Sequence, residues 1–269
     1  KSAACRRFPI GVTSTPRGLR VSVSHRCSCV SMGHSELLTE SSARAALQAP
    51  KSARILKDFE VSSTVKWARR CKVHFDDYVA WERSILASLD RDQDDPSIAS
   101  ILGTKRNALP KLRFYDWSDL SERLDKWVED EPLDDGFACT LRWARLVLPP
   151  RSRKKAPLPE RPWAWTFDRG RARTPKPLSV RKVLGSWLAD DLFGMSWADW
   201  GSVHKQFLDM SARYVIATRL IEHLLSLGLR DDQAAAEAVM IADTVGNSET
   251  WEWVRKHLDD TGPFGSVSG

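Results

Sequence analysis

Tyrosine is scarce in this chain, cysteine is odd in number, acid is missing from one end, and no apolar run is long. Each shortage excludes something. No stretch approaches the roughly 18–20 apolar residues that a membrane-spanning helix needs. The five cysteines, Cys5, Cys27, Cys29, Cys71 and Cys139, are irregularly spaced. That is not the framework of a small secreted domain, and it points to a reducing compartment. The sequence holds no G-x-S-x-G, H-E-x-x-H, G-x-x-x-x-G-K-[ST] or G-x-G-x-x-G, so no known catalytic or cofactor signature is present and no cofactor is expected. Two fragments look like metal sites and fail. Cys71-x-x-His74 has no second pair at zinc spacing and reads as core packing on a helix face. The acidic run from Asp90 begins like a calcium loop. Asp95 then stands where the turn glycine belongs, and Ile101 where the bidentate glutamate belongs. No metal is expected.

Residues 1–35 contain no acid, six Lys/Arg and seven serines. This is the composition of a mitochondrial or plastid transit peptide. The sequence starts at Lys1, and Met32 is an alternative start. Residues 1–50 are therefore expected to be a disordered leader, with an organelle as destination if 1–31 is a transit peptide and the cytoplasm otherwise.

Positive charge and tryptophan are plentiful. The chain carries a formal +6 and twelve tryptophans, four times its count of tyrosines. Most tryptophans fall in helical patterns and read as core anchors. The charge is concentrated in 149–182, where eleven Lys/Arg face only Glu160 and Asp168, a local +9. Seven of the fourteen prolines lie there too, which predicts an irregular, extended segment over 149–178. Arginine pairs with phosphate and tryptophan stacks on bases. The candidate polyanion-binding residues are Arg151, Arg153, Lys154, Lys155, Arg161, Trp163, Trp165, Arg169, Arg171, Arg173 and Lys176.

On either side the periodicity is helical. A helix is expected over 64–89, with Trp67, Cys71, His74/Phe75, Tyr78 and Trp81 on one face. Others follow from Trp117, over 135–148, from Ser179 to near Gly194, and from a capping box at Ser196. His204, His223 and His257 fall in amphipathic helices as partly exposed residues. No alternating strand is evident. The expected class is all-α: one helical subdomain over 51–148 and another over 179–269.

Residues 217–260 pair an apolar helix ending at Leu227-Gly228-Leu229 with a Gln233-Ala234 step and a last helix holding Trp253, Val254 and Leu258. This resembles a ubiquitin-associated (UBA) three-helix domain. Leucine replaces both the methionine and the aromatic of the family's loop, and the match covers about a sixth of the chain. The resemblance implies a ubiquitin-contacting surface at Leu227, Gly228 and Leu229 and near Leu258. The sequence thus predicts a non-enzymatic interaction protein that binds RNA or single-stranded DNA through 149–182. The alternatives are an acidic protein surface as partner, a ubiquitin-binding adaptor, and a structural subunit of a larger complex.

Overall fold

Residues 10–23 form sheet where a disordered leader was expected, and residues 1–9 and 34–50 of that expected leader lie outside the described residues. The structure, a computed structural model, describes residues 10–33, 59–91, 96–104, 108–130, 135–149, 157–171, 177–262 and 264. Strands β1 (Ile10–Thr15) and β2 (Gly18–Val23) pair antiparallel, from Ile10↔Val23 to Thr15↔Gly18. Pro16 and Arg17 make the turn, and Gly18 follows at φ +111°, a conformation that a side chain would resist. A single helical turn, α1 (Ser28–Ser31), comes next. Strand β3 (Phe59–Glu60) joins β1 in parallel, giving the order β2-β1-β3. Val12, Val30 and Met32 are buried. The acid-free composition concealed a hairpin whose apolar residues are few but well placed.

The all-α expectation needs a second correction over 64–74. Strands β4 (Thr64–Ala68) and β5 (Cys71–His74) form an antiparallel pair. Val65 and Trp67 point into the core while Thr64 and Lys66 are exposed, which is period-two burial. Cys71 and His74 are exposed and do not pack in the core. His74 instead caps helix α2 (Phe75–Leu89), its side chain accepting from the Asp76 N–H.

The remaining regular elements of the described chain are helices: α3 (Ile98–Ile101), α4 (Trp117–Asp130), α5 (Asp135–Val147), α6 (Ala164–Arg171), α7 (Val180–Gly194), α8 (Trp197–Trp200), α9 (Val203–Ser226), α10 (Asp231–Gly246) and α11 (Glu249–His257). Ser196 makes no side-chain cap. Ser202 does, accepting from the Lys205 N–H, and opens the 24-residue α9. Helix α7 is capped at Ser179 and ends at Gly194, both as expected, and its C-cap Met195 takes φ +56°.

Helices α9 and α10 lie at the centre. Five alanines, Ala234, Ala235, Ala236, Ala238 and Ala242, leave α10 thin enough for α5, α7 and α9 to approach it closely. Its neighbours bring charge into the interior. Arg213 on α9 is 2 % exposed and pairs with Asp209 (2.6 Å), Asp191 (2.5 Å) and Asp243 (3.6 Å). Burial alone would lower the Arg213 pKa, but the three carboxylates raise it well above the ordinary value. Trp251 Nε1–H donates to Asp209 (2.6 Å), and Trp187 Nε1–H to Asp243 (3.2 Å). The hairpin reaches the same cluster through the Ser24 hydroxyl and the Arg26 N–H, each 3.0 Å from Asp243 Oδ2. A second buried pair joins β2 to α2: Arg20 Nη1 lies 2.7 Å from both Glu82 oxygens, and the Tyr78 hydroxyl donates to Glu82 at 2.9 Å.

Burial raises the carboxyl pKa values of Glu82 and Asp191, although Arg20 and Arg213 respectively pull them back. Between the ordinary carboxylate value of about 4 and the folded value, the native state therefore holds protons that the unfolded chain has released. The stability from these two groups is fully present below the unfolded pKa and is lost as pH rises through the folded pKa. Urea unfolding across mildly acidic pH should show this fall, and Glu82→Gln should flatten it. An unchanged slope in that variant would contradict the assignment to Glu82.

Candidate nucleic-acid interface

The basic segment is not irregular throughout, which corrects the expectation for 149–178. Prolines crowd its two ends, but none lies between Pro162 and Pro175. Helix α6 forms inside that window and packs against α1 and α10. Its approach is fixed by one buried carboxylate. Glu237, on α10, is fully buried. It accepts from Arg161 Nε (2.9 Å) and Nη2 (2.5 Å), from Trp163 Nε1 (2.9 Å) and from Gln233 Nε2 (3.0 Å). Gln233 also donates to Asp168 Oδ1 on α6 (3.0 Å). Trp143 Nε1–H holds the Glu160 carbonyl at 3.1 Å, and Phe167 is completely buried.

The alternating aromatics Trp163, Trp165 and Phe167 are thus divided between jobs. Trp163 is bound to Glu237 and Phe167 is in the core. Trp165 stays 62 % exposed, and the Arg169 guanidinium carbon lies 5.8 Å from its ring centroid, within cation–π range. Arg161 is committed to Glu237, because moving it to a phosphate would strand a buried negative charge. Of the described candidates, Trp165 and Arg169 are therefore the two whose side chains are exposed and not committed to Glu237. Arg171 closes α6. Arg151, Arg153, Lys154, Lys155, Arg173 and Lys176 lie outside the described residues and flank α6 in sequence on both sides.

The residues of the ubiquitin-associated resemblance fall on α9, α10 and α11. Gly228 takes φ +83° after the end of α9. Leu225 and Leu227 are exposed, Leu229 packs partly against the core, and Leu258 is 1 % exposed and bridges to Leu112. Among the described residues, no cluster of His, Cys, Asp or Glu could hold a metal, and no helix is long and apolar enough to cross a membrane.

No protein-family model matches the chain, and no curated protein or solved structure matches it.

Sequence reasoning missed Glu237 and noted Gln233 only for the ubiquitin-associated resemblance, yet the two decide where the basic segment sits. A signal was available: Glu237 interrupts an alanine-rich helix that is apolar on nearly every side. A charge in such a helix requires a partner. Removing that partner should be costly. Arg161→Ala should lose about 3–5 kcal/mol in urea unfolding, as expected when one member of a buried pair is deleted. Arg161→Ala combined with Glu237→Leu should recover much of the loss. Additive costs in the double variant would mean that Glu237 does not depend on Arg161.

Proposed function

We propose that the protein is a non-enzymatic scaffold that binds a polyanion, RNA or single-stranded DNA, through the basic segment 149–182. The observation that carries this reading is the exposed Trp165–Arg169 pair on a helix locked to the core. A ring open to solvent can stack on a base of any identity, and an adjacent guanidinium supplies charge for phosphate. The six Lys/Arg just outside α6 add the electrostatic attraction that such binding needs. Locking α6 through Glu237 has a further benefit, because less freedom is lost when the ligand docks.

Leu225 and Leu227, exposed around the Gly228 turn, favour one second reading, a ubiquitin-binding adaptor acting through 217–260. The two readings separate in one experiment, a fluorescence-polarisation titration of the full chain with labelled single-stranded RNA at two salt concentrations, repeated with labelled ubiquitin. Binding to RNA should collapse as salt rises. Trp165→Ala should weaken it by about 1–3 kcal/mol, and Arg169→Ala should weaken it and lower the salt slope by about 0.7. Both side chains are exposed, so unfolding curves should stay near wild type. RNA affinity that ignores both substitutions would overturn the reading, and saturable binding of ubiquitin alone would favour the adaptor.

A further inference from the structure

One aromatic ring near the C-terminus sits in a box made by three other elements. Phe264 stacks on His204 of α9, with centroids 4.5 Å apart and planes 18° apart. It also meets Trp67 of β4 at 5.1 Å, Phe207 of α9 at 5.5 Å and Trp81 of α2 at 6.4 Å. Three of the walls support one another without it: Trp67 and Trp81 meet edge to face at 4.6 Å, and Trp81 and Phe207 lie 5.2 Å apart. A box held by its own wall-to-wall contacts is preformed for a ring.

Among the described residues, the ties of the segment that leads to it lie mostly at Asp259 and Asp260. Strand-like pairing of the tail ends at Asp259, whose N–H donates to the Lys111 carbonyl at 3.0 Å. Arg113 pairs with Asp259 and Asp260. Thr261 and Gly262 are exposed. Phe264 itself is only partly buried, whereas Trp67, Phe207 and His204 are 3 %, 4 % and 5 % exposed. The ring therefore acts as a stopper, reached from solvent and covering residues that are otherwise deep. It is also an imperfect occupant. His204 Nδ1 is buried with no hydrogen-bond partner among the described residues, and a phenyl ring has nothing to donate. A buried polar nitrogen left unpaired costs free energy, which a peptide N–H entering beside the ring would relieve.

We propose that the box of Trp67, Trp81, His204 and Phe207 is a docking site for a peptide carrying a phenylalanine between small residues, and that the chain's own Phe264, which the sequence sets between Gly262-Pro263 and Gly265, occupies it as a built-in competitor. The occupant defines the chemistry of the partner: one aromatic ring on a short, Gly/Pro-flanked peptide. Because the competitor is tethered, it acts at an effective concentration on the order of millimolar, and a free peptide must displace it. The inference does not depend on nucleic-acid binding.

The test is calorimetric titration of the full-length Phe264→Ala protein and the wild type with a synthetic peptide of the sequence 259–269. The variant should bind it, and the wild type should bind at least about tenfold more weakly, as expected for a tethered competitor. The same peptide with alanine in place of phenylalanine should bind neither. If Phe264→Ala fails to fold, Phe264→Leu serves instead and should still bind more tightly than wild type. Equal binding by variant and wild type, or no discrimination between the two peptides, would overturn the proposal.

Discussion

Helix α10 is buried on nearly every side and yet carries two carboxylates, Glu237 and Asp243, into the interior. That constraint organises the molecule. A buried carboxylate is tolerable only when its lone pairs are filled and a cation is near. Each of the two recruits a different part of the chain. Glu237 gathers Arg161, Trp163 and Gln233, and so seats α6. Asp243 gathers Trp187 from α7, Arg213 from α9, and Ser24 and Arg26 from the residues that follow the N-terminal hairpin. The alanines of α10 let these partners come close enough. At Gly246, at the helix end, a Cβ would collide with the Arg213 side chain, so even the absence of a side chain serves the cluster.

The candidate interface follows from the same constraint. A basic segment with this much proline would have little reason to hold one position. Glu237 fixes it at Arg161 and Trp163, which removes those two residues from any ligand-binding role and leaves Trp165 and Arg169 facing outward on a rigid helix. The division between anchoring and exposed residues follows the helix: positions 163, 167 and 168 turn toward the body, and 165 and 169 turn away. The protein thus combines an ordered, exposed indole ring with basic sequence on both sides of it.

Much of the helical architecture was legible because period and caps agreed. Ser179 caps α7 at the expected place, and α4 and α5 lie close to the expected segments. What escaped did so for physical reasons. In β4 and β5, Trp67 and Cys71 fall four apart, continuing the spacing of the true helix that follows, so the period-two burial of Val65 and Trp67 was masked. Arg69 and Arg70 make the turn with no glycine or proline to mark it. In 149–182, proline density was averaged over the whole segment, although the window between Pro162 and Pro175 is free of it. The roles of Arg161 and Trp163 were beyond reach from local pattern alone, because their partner lies more than seventy residues away.

The measurement that tests this account most directly is native-state hydrogen exchange of the wild type and Asp243→Asn. The substitution keeps the shape of the side chain and replaces an acceptor with a donor that faces other donors. If α10's buried carboxylates hold the outer elements in place, the amides of β1 and β2 should lose protection far more than those of α4 and α5. Uniform loss across the molecule, or a hairpin whose protection is unchanged, would contradict it.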